Sequence, residues 1–185
     1  MRPVILLLFL SSMFYISSCA TSARGNWPFV YLTDNSRFIL LPSREIEKPL
    51  DMAQYISAAY GGQDFFINAW VKADITGIEM ILINELGVNI GELLYRDGSV
   101  TFSSPVFPRS LRPEYIIADF QLCFYNPIML GRALEENGLA LEIRNNTRRI
   151  SKGNNLIIEI IKTDNSILFL NHHRGYIYTI EGDFE

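Results

Sequence analysis

The sequence predicts a mainly β fold of the α+β type, a curled antiparallel sheet or half-barrel of about ten strands with a helical lid inserted mid-chain. Three observations predict it. Strand-length apolar runs recur from Gln54 to Phe102 and again from Leu139 to Glu181, separated by short turns of Gly, Asp and Asn. Between them, about residues 113–137, the apolar spacing becomes helical. Finally, 185 residues that are 49% apolar and 12% aromatic can build one globular core, which excludes a disordered chain, a collagen rod or a coiled coil. The 16 basic and 20 acidic residues leave no basic excess, so nucleic acid is not expected as a partner.

The first element is a label rather than part of the fold. Arg2 is the only charge before Arg24, Val4 to Leu10 is unbroken apolar sequence, and Ile16-Ser17-Ser18-Cys19 closes the run. A charged start, a short apolar centre and small residues at the end read as a secretory signal peptide over residues 1–18. A membrane-spanning helix needs about 20 apolar residues, which Val4 to Ile16 does not supply. The closing four residues resemble the lipobox of bacterial lipoproteins, in which the Cys19 thiol accepts a diacylglyceryl group. Stable anchoring follows from two or more acyl chains, and Ala20 in place of Asp favours the outer membrane by resemblance to enterobacterial sorting signals. With Cys19 lipidated, Cys123 has no disulfide partner and reads as a small buried hydrophobe.

Residues 19–50 then form a tether and an irregular lead-in, punctuated by Pro28, Pro42 and Pro49, with one short strand near Phe38 to Leu41. The β domain occupies residues 51–185. Its first strands run from Gln54 to Tyr60, Asp64 to Asp74, Thr76 to Leu86, Val88 to Tyr95 and Ser99 to Phe102, with turns at Gly61-Gly62, Gly87 and Asp97-Gly98. Pro105, Pro108 and Pro113 end this pattern. Ile116, Ile117, Phe120, Cys123 and Phe124 make a first helix, and Asn126-Pro127 starts a second that stops at Asn137-Gly138. Strands resume at Leu139 to Arg144, Arg148 to Ser151, Leu156 to Thr163, Ile167 to His172 and Tyr176 to Glu181.

Alternation gives each strand a core face. Phe65, Ile67, Ala69, Val71 and Ala73 share one side, as do Ile78, Met80, Leu82 and Leu86, and Leu156, Ile158 and Ile160. Asn68, Lys72, Glu79, Glu85 and Lys162 are expected to face solvent. A sheet of this width curls, and the helical insert is the one element expected to cover its concave face.

Leu94-Tyr95-Arg96-Asp97-Gly98, Ile117-Ala118-Asp119-Phe120-Gln121-Leu122, and Arg174-Gly175-Tyr176 with Thr179-Ile180-Glu181 carry a family resemblance. With the lipobox and the curled sheet, they resemble the LolA/LolB group of bacterial lipoprotein carriers and receptors. More closely, they resemble a family of lipoproteins of unassigned activity, often encoded with aryl polyene and related lipid-biosynthesis genes. That family's usual Trp-Pro is replaced here by Tyr125-Asn126-Pro127. The resemblance implies lipid handling.

No residue pattern announces an enzyme. His172-His173 is the one histidine site, and neighbours on a strand point to opposite faces, so they would not share a metal. There is no Gly-x-Ser-x-Gly elbow or phosphate loop. Asp119 and Gln121 read as residues that pin the lid. Arg144, Arg148, Arg149 and Lys152 form a basic cluster on a late hairpin, read as a solvated turn. Ile67, Ala69, Val71, Met80 and Leu82 would line an apolar cavity under Ile116, Phe120 and Phe124, although the same residues suit a packed core.

The expectation is a non-catalytic outer-membrane lipoprotein facing the periplasm, with no cofactor beyond the lipid on Cys19. It would bind or transfer a lipidic molecule (lipoprotein acyl chains, a fatty acyl group or an aryl polyene lipid). Its partners would be the membrane, that ligand, and a lipid exporter or lipoprotein carrier. The alternative is an envelope interaction module with a filled core that docks an exporter or biosynthetic enzyme, which an exposed patch at Trp27, Phe29 or Trp70 would favour. A lipid-modifying enzyme ranks third.

Overall fold

The computed structural model describes residues 27–60, 63–96 and 98–184. The segment read as a signal peptide, Cys19, the Gly61-Gly62 turn and Asp97 lie outside the described residues. No helix among the described residues is long and apolar enough to cross a membrane.

Ten strands form one antiparallel sheet. The first meander comprises β3 (Leu50–Tyr60), β4 (Gln63–Asp74), β5 (Gly77–Ile83), β6 (Asn89–Arg96) and β7 (Ser99–Ser103). Two helices follow, α1 (Pro113–Phe124) and α2 (Pro127–Glu135). The second meander is β8 (Ala140–Arg144), β9 (Thr147–Lys152), β10 (Asn155–Lys162), β11 (Ser166–Asn171) and β12 (Tyr176–Glu181). The spatial order is β7-β6-β5-β4-β3-β12-β11-β10-β9-β8. The two meanders thus meet at a β3–β12 seam, with Ile56 opposite Ile180 and Ala58 opposite Tyr178. The free edges are β7 and β8, so the sheet is curled and unclosed, a half-barrel. The helical segment connects those two edges and crosses the concave face on the way.

The turns are where small, polar residues allow them. Gly98 has φ 77°, a left-handed conformation that disfavours a side chain. The Trp27 ring also lies 3.0 Å from where a Gly98 Cβ would stand. The Asn126 carboxamide accepts from the Ile128 and Met129 backbone N–H groups at 2.9 and 3.3 Å, and Pro127 occupies the first helical position, where its missing N–H costs nothing.

The lead-in is more ordered than expected. Instead of one strand it holds a hairpin, β1 (Phe29–Thr33) and β2 (Ser36–Ile39), followed by a 3-10 turn at Ser43–Glu45. Val30, Leu32, Phe38, Leu40 and Leu41 are buried in the same core cluster as the helices. The 3-10 turn contacts β4 and β5, and the hairpin contacts both helices. The helices therefore share the cover of the concave face with this hairpin.

Three expectations about faces change. Leu86 lies in the turn after β5 and is 87% exposed, so alternation had ended before it. Leu156 precedes an irregularity in the β9–β10 register and is exposed, while Ile158 and Ile160 are buried. Lys162 shares the parity of Ile158 and Ile160 and points inward, with its Nζ 5.4 Å above the Phe124 ring. The basic cluster also divides. Arg148 is buried and faces the helices, whereas Arg149 faces out and pairs with Glu159 at 2.8 Å.

Candidate functional site

The site is organised by α1, whose inward residues Ile117, Ala118, Phe120, Leu122, Cys123 and Phe124 join the core. Its C-terminal half is held by buried polar contacts. Gln121 donates from Nε2 to the Leu41 carbonyl and accepts from the Leu41 N–H, both at 2.8 Å. The Arg148 guanidinium donates to the Leu122 and Tyr125 carbonyls at 2.9 and 3.1 Å, and to Glu47 at 3.0 Å. A helix end leaves carbonyls without partners, and a cation there satisfies them and suits the helix dipole. Around the helix junction, Asn126 N–H donates to the Glu45 carbonyl and Glu47 N–H to the Phe124 carbonyl. This half of the lid is bolted down.

The N-terminal half is more open. Tyr115, Ile116, Asp119, Arg174 and Tyr176 line a pocket of about 350 Å³ where α1 meets the β11–β12 turn. Tyr176 donates its hydroxyl to Asp119 Oδ2 at 2.8 Å. Arg174 lies 4.3 Å over the Tyr115 ring and donates to the Tyr115 hydroxyl and to the Tyr31 carbonyl at 2.7 and 2.8 Å. Burial raises the Asp119 carboxyl from its ordinary 3.8 to about 7, against the opposing pull of the Tyr176 hydrogen bond and the Arg174 charge. Behind Tyr176, the rings of Phe169 and Tyr178 stack in parallel with it, at 6.0 and 6.2 Å. The pocket thus has aromatic walls, one cation and one carboxyl that can be neutral near neutral pH.

Beside this pocket the described residues do not fully cover the concave sheet face. One row runs Phe65, Ala58, Tyr178, Phe169 across β4, β3, β12 and β11, and the next runs Ile67, Ile56, Ile180, Ile167. In both rows exposure rises toward β4. Phe169 and Ile167 are sealed, Ile56, Ala58 and Ile67 are half-buried, and Phe65 is 44% exposed. The expectation that Phe65 is a core residue is therefore replaced by an open apolar rim.

The residues expected to line a cavity separate into two groups. Ala69, Val71, Met80, Leu82, Phe120 and Phe124 are all buried within one contiguous hydrophobic cluster. Ile67 and Ile116 sit partly buried at its edge, next to the open end. Asp119 and Gln121 are placed as described above, one on the pocket and one on Leu41. Arg174, Tyr115 and Tyr176 carried no expected role, although Arg174-Gly175-Tyr176 and the Asp119 segment were both distinctive in sequence. The structure brings them into one site. His172 and His173 lie in the β11–β12 turn rather than on a strand, and His173 Nε2 is 3.4 Å from Asp34. No group of three or more His, Cys, Asp or Glu that could hold a metal occurs among the described residues.

Fold and site together define a class of protein: an unclosed antiparallel half-barrel whose apolar concave face is roofed by a hairpin and two helices and opens at one end. The chain belongs to the family described as "Protein of unknown function (DUF3261)", whose model matches residues 51–182. A solved structure similar to this chain is a DUF1329 family protein from Desulfovibrio piger, with 11% identity and a TM-score of 0.39 over 77% of this chain and 87% of that one. A search of the curated proteins finds no match.

Proposed function

We propose that this protein is a lipid-anchored lipoprotein of the outer membrane that holds or passes on a lipidic molecule without catalysis, as LolA/LolB-like carriers and receptors do. One observation carries the reading: the described residues leave the apolar concave face exposed at Phe65 and only half-covered at Ile67, Ile56 and Ala58, beside the Arg174–Asp119 pocket. An acyl or polyene chain would lie along that rim, driven by about 25 cal/mol for each Å² of apolar surface buried. A polar or anionic end would meet Arg174 and Tyr115. Because the C-terminal half of α1 is fixed, entry would occur at the open end and would need little lid movement. Signal peptide cleavage before Cys19 and lipidation of its thiol would keep this mouth near the bilayer. The resemblance of its sequence motifs to lipoproteins encoded beside aryl polyene genes favours a polyene or fatty acyl ligand and a lipid exporter or lipoprotein carrier as partner.

The test is titration of the purified protein with a fluorescent fatty acid, alongside Ile67→Trp and Ala58→Trp. The expected result is saturable binding that both bulky substitutions block while the fold persists. Binding that survives both would remove the open rim from the reading, and no binding at all would remove the carrier function.

A second reading has its own support. On the convex face Tyr55, Phe66, Trp70, Ile81 and Ile177 are each 38–48% exposed, and Tyr55 stacks on Phe66 at 6.2 Å. A groove of about 410 Å³ between Ile81, Leu94 and Thr101 continues this surface, flanked by Glu79 and Glu92. Such a patch suits docking of an exporter or biosynthetic enzyme. Trp70→Ser would then weaken complex formation and leave fatty-acid binding unchanged.

A further inference from the structure

A second pocket lies on the far side of the buried Ile180 from the open rim, with Ile167 in the same cross-strand row as Ile67 and Ile56. It has a volume of about 280 Å³ and lies where β10 ends and the C-terminal segment returns. Leu50, Phe124, Ile167 and Phe184 form its apolar walls. Phe184 is brought there by backbone hydrogen bonds, Gly182 N–H to the Asn165 carbonyl at 3.1 Å and Phe184 N–H to the Asp164 carbonyl at 3.4 Å, and its ring lies 5.8 Å from that of Phe124. Phe184 therefore acts as a wall of the pocket.

Into this pocket, whose remaining lining is Glu47, Lys48, Asn146, Thr163 and Asp164, points Lys162. An inward lysine at a strand end normally finds a carboxylate, because a desolvated ammonium is costly without one. Among the described residues, Lys162 forms no ion pair. Its Nζ is accounted for only by the face of Phe124 at 5.4 Å. The nearby carboxylate of Glu47 is taken by Arg148 at 3.0 Å. Lys48 lines the same pocket, and Asp164 faces it from the turn without reaching an ion-pair distance. Burial, with the repulsion of Arg148, holds the Lys162 ammonium below its usual range, so a bound anion would strengthen its charged state. Two lysines therefore share one small pocket with apolar walls, with Asp164, and with Glu47, whose carboxylate Arg148 already engages, which leaves Lys162 without an ion-pair partner among the described residues.

We propose that this pocket binds a single-chain anionic amphiphile, with its phosphate or carboxylate on Lys162 and Lys48 and the first carbons of its chain between Phe124, Ile167 and Phe184. The proposal does not depend on the open rim beyond Ile180. Its chemistry requires both parts, a charge for the ammonium and an alkyl stub for the walls.

The test is calorimetric titration of the purified protein with decyl phosphate, decanol and inorganic phosphate, in wild type, Lys162→Met, Lys162→Arg and Phe184→Trp. Decyl phosphate should bind about tenfold or more tightly than either decanol or phosphate, the scale of one charge-assisted contact. Lys162→Met should erase the preference over decanol and Lys162→Arg should retain it. Decyl phosphate should also change the emission of the tryptophan in Phe184→Trp, and Ile67→Trp should leave this binding intact. Equal affinity for decyl phosphate and decanol would overturn the proposal, as would unchanged binding in a folded Lys162→Met. Inorganic phosphate binding as tightly as decyl phosphate would overturn the amphiphile and identify a free-anion site. Loss of binding in Ile67→Trp would place the ligand at the open rim instead.

Discussion

Arg148 and Arg149 are neighbours on one strand, and replacing each by alanine should give very different results. The Arg148 side chain is 7% exposed and donates to two carbonyls at the end of α1 as well as to Glu47. Arg148→Ala leaves both carbonyls buried without a donor, at about 1–3 kcal/mol each. Glu47 is 47% exposed, so it rehydrates when its partner is lost and adds up to about 1 kcal/mol. The sum, about 2–7 kcal/mol, brackets the usual cost of about 3–5 kcal/mol for removing one partner of a buried charged contact. Arg149 is 48% exposed and pairs only with Glu159, which limits Arg149→Ala to about 1 kcal/mol or less. Arg148→Met, which keeps the apolar stem, should fall between them. Urea unfolding followed by Trp27 and Trp70 fluorescence measures all three, with the midpoint shifting at constant slope. Losses for Arg148→Ala and Arg149→Ala within about 0.5 kcal/mol of each other would refute the claim that Arg148 fastens the lid.

Three further outcomes are expected. The Asp119 carboxyl is raised on folding, so its contribution is full below pH 3.8, falls as pH rises and levels off above about pH 7. Asp119→Asn should therefore match the wild type at pH 4 and exceed it at pH 8 by about 2 kcal/mol, the full shift discounted for partial exposure; a variant less stable at both pH values would contradict this. Ala69 is 2% exposed beneath the cover, and Ala69→Leu should cost about 1–3 kcal/mol by overpacking, whereas a neutral or stabilising result would reveal empty space under the lid. Burial pushes the Cys123 thiol up to about 12, so alkylation at pH 8 should proceed only at the rate of opening, and fast labelling of the folded protein would show an accessible thiol.

The strands and the lid helices were legible because their signals are local. Asn126-Pro127, Asp164-Asn165 and Gly153-Asn154 mark ends wherever the chain folds, and alternation fixed the inward sides of Ala69, Val71, Ile78 and Met80. The β1–β2 hairpin was not legible, because Pro28 and Pro42 flank strands so short that periodicity has no room to show. Charge alone assigns Arg148 and Lys162 to solvent, although the parity of Ile150, Ile158 and Ile160 places both inward. What charge could not reveal was the partner that makes burial tolerable, since the carbonyls of Leu122 and Tyr125 lie on a different element. The pocket was hidden for a similar reason. Asp119 and Arg174-Gly175-Tyr176 were conspicuous separately, and only the packing of α1 against the β11–β12 turn joins them.

The seam between β3 and β12 sets the order in which this molecule can be finished. Residues 55–59 pair with residues 177–181, so the two ends of the domain must meet before the sheet is continuous. Until then the first meander carries a bare backbone edge along β3, its longest exposed template for foreign strands. Such distant pairing is slow, because loop closure must come before any stabilising contact. A chain synthesised or threaded from its N-terminus stays half-assembled until β12 arrives. Any chaperone that escorts it would have to shield that edge, and a truncation that removes β12 alone would leave two edges, β3 and β11, open at once.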